Sequence, residues 1–414
     1  MAIGSTISLI ANSAFSGTSD DDTFNGTYGD GGAGSFWNNT IAGNGGTDTL
    51  NLTEGSGAIA PPDALWANVS SIENVVFTTA GAGAQTFNTG ANFENAFTTG
   101  GVTGVSLTAN INGAGVIDVD MSGTVAGDVL FTGTAMIAAT TNGAGAQTIL
   151  TGSGNATVTA SNVAGNQIIS GTGLSSVTAI DAGAGFQHIG NVTGGVANGG
   201  ENLVSVTATN VAGEQTIIST SNLDVTVTAI DNGAGEQTII VAGAGNNSVT
   251  ATTISGTQTV TVGNGNNTVN VSNTTLADVQ HITVGSGNNT ITLTADHTGV
   301  DTLTFSAPNG GSTTSFTTVN NLAVSDTITF SGTFATIVVG TLTGDLTVAD
   351  FVLHAQSSYD ANTGIAAFQE TIGSGPSANS YIYQATDTIA NDTLIDLVGV
   401  HTITAGLSQV ASVV

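Results

Sequence analysis

The chain is 414 residues long with 29 acidic side chains and no lysine or arginine, a formal net charge of −29 with 7% charged residues, where a soluble domain is usually about a quarter charged with both signs present. That balance excludes nucleic-acid binding by phosphate neutralisation, a basic membrane-surface patch, and any mechanism that needs an arginine finger, a phosphate-loop lysine or a Schiff-base lysine. Hydrophobic residues at 40% and a mean hydropathy of +0.26 exclude a disordered acidic tail; the absence of cysteine removes disulfides and thiolate chemistry, leaving bound divalent cations as the expected source of added stability.

In chain order, the opening M-A-I-G-S-T-I-S-L-I-A-N-S-A-F lacks the positive segment and sustained apolar run of a cleavable secretory signal. No apolar run approaches the ~18 residues of a membrane span, so no membrane insertion is expected. Next come two glycine and aspartate loops, G-T-S-D-D-D-T-F at 17–24 and G-N-G-G-T-D-T-L-N-L at 43–52. Their hard oxygen donors and glycine carbonyls suit calcium better than zinc or copper, which makes Asp20, Asp22, Asp30 and Asp48 candidate ligands. P-P-D-A-L-W-A-N-V at 61–69 predicts a short helix started by paired prolines and an aspartate. Trp37 and Trp66 are expected to be packing anchors.

A repeat then takes over. The motif A-G-x-Q-(T/H/I)-I places glutamines at Gln147, Gln167, Gln187, Gln215, Gln237, Gln258 and Gln280, with spacings of 20, 20, 28, 22, 21 and 22, and an earlier copy at Gln85. Between them lie alternating apolar segments centred on Val158, Val177, Val206, Val227, Val249, Val269 and Ile291. Each half-repeat is short and strand-like. Two strands and two turns per repeat, stacked in parallel at ~4.8 Å, bury one face of every strand and satisfy the backbone from coil to coil. The predicted fold is therefore all-β: a two-sided parallel β-solenoid (β-roll or β-helix) of about ten coils over 85–300. It would be flanked by a β module at 1–84 and a β-rich domain at 301–414. The extra residues at 194–202 read as a loop bulging from one coil. The repeating glutamine either stacks as an amide ladder or faces solvent. Asp181 and Asp231 lie six residues before a repeat glutamine, and Glu214 and Glu236 lie immediately before one. These four join the candidate calcium ligands, with Asx-turn bracing as the plainer role for an aspartate beside glycine. A second short helix is predicted near 347–356.

Three turns, G-A-G-N-N-S-V (243–249), G-N-G-N-N-T-V (263–269) and G-S-G-N-N-T-I (285–291), resemble the calcium-binding nonapeptide of the RTX, or haemolysin-type, β-roll. Asparagine stands where that family has its ligand aspartate, so these three read as asparagine turns. The rungs at Asp22 and Asp48 keep the family's acidic pattern. D-T-I-T-F (326–330), T-V-A-D-F-V-L (347–353) and the string at 380–404 beginning S-Y-I-Y-Q-A-T-D-T-I resemble the terminal domain of RTX-type S-layer proteins exported by type I systems. The resemblance implies an uncleaved C-terminal export signal, an extracellular or cell-surface location and calcium-driven surface assembly.

A catalytic role has little to stand on. The five histidines, His188, His281, His297, His354 and His401, include no pair at metal-ligand spacing, and neither H-E-x-x-H nor G-x-S-x-G occurs. A two-carboxylate glycosidase needs only acids and stays as a lesser alternative among polysaccharide-acting solenoids. The leading expectation is a non-enzymatic, self-assembling structural protein, an S-layer or extracellular filament. Its partners would be Ca2+, further copies of itself, and a cell-surface glycan or lipopolysaccharide. The alternative is a threonine array, T-V-T-A or T-Q-T-V-T-V on strand faces, acting as an adhesin or on ice.

Overall fold

The computed structural model describes 4–29, 34–54, 61–72, 203–309, 311–330, 347–358, 378–385 and 392–399, and elsewhere the strands named below with their immediate neighbours. It is almost wholly β, built as a parallel β-solenoid, and divides into two units, Met1–Thr216 and Ile217–Val414. Among the described residues no helix is long and apolar enough to cross a membrane.

In the first unit one sheet runs Thr6–Ser8, Thr23–Thr27, Thr49–Glu54, Asn74–Thr79, Ser106–Ile111, Asp128–Gly133, Gln147–Thr151, Gln167–Gly171 and Gln187–Ile189, each parallel to the next. A second sheet stacks Gln85–Asn88, Val116–Met121, Met136–Thr141, Ala156–Asn162, Leu174–Asp181 and Ser205–Asn210 in the same sense. Parallel pairing thus begins well before residue 85. There the coils are uneven: Thr6 pairs with Thr23, Thr23 with Thr49 and Thr49 with Asn74. Turns absorb such differences in length while strands keep register. Short parallel strands at Ala14–Ser16, Thr40–Ala42 and Val69–Ser70 accompany them.

The predicted helix near 61–69 is a 3-10 turn, Asp63–Asn68, beginning after Pro62. It carries Trp66, which is buried against Phe36 with ring centroids 5.4 Å apart. Trp37 is half-buried and donates its indole N–H to the carbonyls of Tyr28 and Gly29 at 2.6 and 3.0 Å. Most of the expected bulge at 194–202 lies outside the described residues; Val192–Thr193 pairs antiparallel with Val196–Ala197.

The second unit repeats the plan more evenly. Gln237–Val241, Gln258–Val262, Gln280–Val284, Thr302–Phe305 and Thr327–Phe330 form one parallel stack. Thr226–Asp231, Ser248–Thr253, Thr268–Asn273, Thr290–Thr292 and Thr317–Asn320 form the other. Alternation decides which side chains go inside. Val227 and Ala229, Val249 and Ala251, and Val269 and Val271 are buried from one sheet, with Ile239, Val241, Val260, Val262, Ile282 and Val284 from the other. Each buried Val or Ile is worth roughly 1.5–3 kcal/mol. Threonines take the outward positions, where β-branching suits the strand.

The turns need glycine for two reasons at once. Gly265 and Gly287 have φ of +113° and +109°, and a Cβ on either would come within 2.3–2.4 Å of the carbonyl oxygen of the matching glycine one coil back.

Beyond Thr317–Asn320 the pattern changes. Thr393–Leu397 pairs parallel to it and then antiparallel with Asn379–Ala385, which pairs antiparallel with Ile365–Ile372. Val410–Val413 lies antiparallel on Thr327–Phe330. The second predicted helix is Val348–Ser358. Thr347 and Asp350 form its capping box: the Asp350 carboxylate accepts the Thr347 N–H at 3.0 Å and Thr347 Oγ1 accepts the Asp350 N–H at 3.3 Å. Phe351, Val352 and Ala355 pack on Tyr383, Ala385 and Leu394.

Candidate functional site

Among the described residues, glutamine, asparagine and aspartate side chains are buried in vertical register from coil to coil. The first is glutamine. Gln187 donates its side-chain amide to Gln167 Oε1 at 2.8 Å and Gln215 to Gln187 at 2.7 Å. In the second unit Gln258 donates to Gln237 at 2.8 Å and Gln280 to Gln258 at 2.9 Å. All six are at most 1% exposed, so the repeat glutamine is a ladder and not a solvent-facing position. The same nitrogens reach across to the opposite sheet, at the Thr209 carbonyl (3.3 Å) and Thr294 Oγ1 (2.6 Å) among others. Gln187 and Gln280 therefore each brace two coils and reach across to the opposite side of the coil.

The second ladder is asparagine, at the last Asn of each G-x-G-N-N turn. Asn247, Asn267 and Asn289 are buried. Oδ1 of each accepts a backbone N–H from the coil before: Val225 to Asn247 at 3.1 Å, Asn247 to Asn267 at 3.0 Å, Asn267 to Asn289 at 3.2 Å. The amide nitrogens complete the turn. Asn267 Nδ2 donates to the carbonyls of Gly263 and Gly265 at 2.9 and 3.0 Å and to Asn289 Oδ1 at 2.8 Å. The first asparagine of each pair does similar work at the surface, Asn246 accepting from Asn266 N–H at 2.9 Å and Asn266 from Asn288 N–H at 2.8 Å.

Aspartate makes the third set. Asp22 and Asp48 sit one coil apart, both buried, immediately before their strands. Asp48 Oδ1 accepts the Asp22 N–H at 2.7 Å; Asp22 Oδ1 accepts the Ser5 N–H at 2.5 Å, and its other oxygen accepts the Thr18 N–H. These N–H donors hold the Asp22 carboxyl below its usual pKa, Thr18 first and Ser5 next, against the opposing effect of burial. Glycine precedes each aspartate by five residues because a Cβ on Gly17 or Gly43 would lie 2.2–2.5 Å from the carboxylate. Asp22 and Asp48 thus hold backbone N–H groups of the adjacent coil, as the asparagines do.

The other predicted ligands are not gathered into one cluster. Asp20 is half-buried at the surface, Glu214 and Glu236 are exposed, and Asp30 lies outside the described residues. Asp181 and Asp231 are buried at the ends of their strands. Asp231 accepts the Gly233 N–H at 2.9 Å, an Asx-turn, and burial raises its pKa despite that bond. Asn210 and Asn273 stand at the matching strand ends within their own stacks. Asp231→Asn should therefore keep the turn and remove a buried charge, raising stability at pH 7 by about 1 kcal/mol in a thermal melt.

One cluster brings charged groups together. The register that stacks the glutamines carries on from Gln280 to Asp301 and from Asp301 to Asp326. Asp301 Oδ1 accepts the Gln280 N–H at 2.7 Å; Asp326 accepts the Asp301 N–H at 2.9 Å and the Ala323 N–H at 2.8 Å. His297, four residues before Asp301, is buried beside both. Its Nδ1 lies 2.6 Å from the Thr294 carbonyl, an acceptor only, so Nδ1 carries hydrogen. Nε2 then faces two carboxylates, 3.1 Å from Asp301 Oδ2 and 3.0 Å from Asp326 Oδ2. A bare nitrogen lone pair there would be repelled, so the geometry calls for a proton or a cation between the three groups. Burial alone would lower the His297 pKa; the Thr294 carbonyl, Asp301 and Asp326 outweigh it and raise it. Burial pushes Asp301 up to about 6, with the Gln280 N–H and His297 opposing and Asp326 reinforcing.

No known protein family matches the chain, and a search of curated proteins returned no similar sequence.

Proposed function

We propose that the chain is a secreted structural protein, similar in kind to RTX-type S-layer proteins, that assembles with further copies of itself into a surface layer or extracellular filament. The observation that carries this reading is the parallel stack of coils, whose first described strand has a side that can take a further strand. Thr6–Ser8 begins the first unit's sheet and, among the described residues, pairs on one side alone, with Thr23–Asn25. Such an edge presents unpaired N–H and C=O groups to an incoming strand. A second copy is the proposed occupant, because each copy brings strands already shaped for parallel stacking. Subunits at −29 repel one another until cations neutralise them, and with no lysine or arginine the cations must come from the medium. Calcium bridging exposed carboxylates such as Glu214 and Glu236 is the proposed agent. Export by a type I route without a cleaved signal, and anchorage through a surface glycan or lipopolysaccharide, complete the proposal.

Sedimentation velocity tests it. Adding millimolar Ca2+ to the monomer should give large species that EDTA disperses and renewed Ca2+ restores. Species that persist unchanged in excess EDTA would remove calcium from the proposal, and a monomer at every calcium concentration would remove assembly.

A second reading has its own observation. In the second unit Thr259, His281, Thr302 and Thr327 stand in one outward row, and Thr261, Thr283, Thr304 and Thr329 in the next. Rows of hydroxyls and methyls at a ~4.8 Å repeat form a regular face that fits an ordered water or glycan lattice. Thermal hysteresis by the monomer would favour that role; its absence removes the ice-binding form.

A further inference from the structure

We propose that His297, Asp301 and Asp326 bind one divalent transition-metal ion of the zinc class, a site separate from calcium-dependent assembly. One nitrogen and two carboxylate oxygens converge, every pair within 4.8 Å, from three buried residues. The separations of 3.0 and 3.1 Å from Nε2 to the two carboxylates fall a few tenths of an ångström short of the roughly 3.3–3.6 Å edges of a tetrahedron around an ion held at about 2.0–2.2 Å, so a small outward shift of the ligands admits the ion. An independent observation points the same way. The single Nε2–H is directed at Asp326, so Asp301 Oδ2, on a residue 0% exposed, faces the same nitrogen at 3.1 Å as an ion pair but accepts no hydrogen bond, and is aimed into the cluster.

The surroundings are those of a prepared ligand set. Thr294 takes the Nδ1–H and fixes the tautomer that turns Nε2 inward, the outer bond a metal-binding histidine commonly makes. The Gln280 and Asp301 N–H groups hold the remaining carboxylate oxygens, so both acids are oriented before any ion arrives. Imidazole beside two carboxylates favours zinc, manganese, cobalt or iron over the all-oxygen preference of calcium and magnesium. Three protein ligands leave a fourth position for water. Entry is short, because Ala295, Asp296, Thr298 and Val300 in the same turn are exposed.

Binding is measured on the full chain after chelation and dialysis, by isothermal titration with Zn2+ and with Ca2+ separately, and by Co2+ absorption spectra. The expected result is one Zn2+ per chain, visible Co2+ bands that Zn2+ bleaches, and no competition from millimolar Ca2+. Asp301→Asn, which keeps the acceptor for the Gln280 N–H, should weaken Zn2+ binding at least tenfold with an unchanged far-UV circular dichroism spectrum; His297→Gln should abolish the Co2+ bands. Absence of stoichiometric Zn2+ binding by the wild-type chain would overturn the site. So would equal binding by both variants, or Ca2+ competing at equal concentration.

Discussion

Asn267→Asp should cost the second unit at least ~3 kcal/mol at pH 7, a large share of the stability of any domain. The substitution changes one NH2 to one oxygen. Its consequence follows from the partners of that NH2, the carbonyls of Gly263 and Gly265 and Oδ1 of Asn289, every one an acceptor. A carboxylate oxygen there meets three oxygens with no hydrogen between them, inside the coil. The other half of the ladder survives, since Asn247 still donates to position 267. Acid should restore part of the loss, because a protonated carboxyl can donate again. Thermal melts at pH 4 and pH 7 check this: the gap between variant and wild type should narrow at pH 4. Equal melting at pH 7 would mean that the buried asparagines are not a ladder.

His297→Leu should be about as damaging, roughly 3–5 kcal/mol at pH 7 in chelator-treated protein, because two buried carboxylates lose the imidazolium that faces both. Asp301 and Asp326 would remain 0% exposed with their backbone donors but without the imidazolium. The pH dependence has a definite sign. Folding raises the pKa of His297, so its contribution is complete below the unfolded value near 6.5 and fades as pH rises through the higher folded value. Asp301 is also raised, from 3.8 to about 6, so its contribution is complete below 3.8 and fades as pH rises through 6. Wild-type, metal-free protein should thus lose stability as pH rises from 3.8 through about 6 and further as it rises above 6.5, with the melt followed by circular dichroism. His297→Leu should lose less than wild type over the upper part of that range, and its deficit should shrink toward pH 5 as Asp301 takes a proton. At the acid end Asp22 acts oppositely: its lowered pKa adds stability above 3.8 that is lost below it.

The fold was legible where period and chemistry agreed. Alternating Val, Ile and Thr separated by glycine turns admits few structures other than stacked short strands, and the structure has them in register from Gln147 to Gln167 to Gln187. The short helices were legible in place, the first from Pro62 though it is a 3-10 turn, while the Thr347–Asp350 cap of the second is given by the structure. Whether the repeat glutamine faced in or out was not, since both a ladder and an exposed row repeat with the coil; burial of Gln187 and Gln258 decides it.

The role of the D-T rungs was equally hidden. Asp22 and Asp48 look alike as ligands or as braces, and the difference lies in the backbone N–H one coil away, which no local motif records. The His297 cluster escaped for a related reason. A search for paired histidines or H-E-x-x-H passes over a single histidine four residues before a D-T rung, and Asp326 is brought in only by coil stacking. The signal was present in D-H-T-G-V-D-T-L at 296–303 followed by D-T-I-T-F at 326–330: two rungs and one histidine, needing the coil register to bring them together.

The proposal of a scaffold that medium cations draw together rests on buried stacked amides and braced carboxylates and on a sequence that carries acids without lysine or arginine. Negative-stain imaging of the native material, first in millimolar Ca2+, then in EDTA, then with Ca2+ restored, tests that claim most directly. Ordered sheets or filaments should be present, vanish and return. Dispersed single particles in all three conditions, or order indifferent to the chelator, would contradict it.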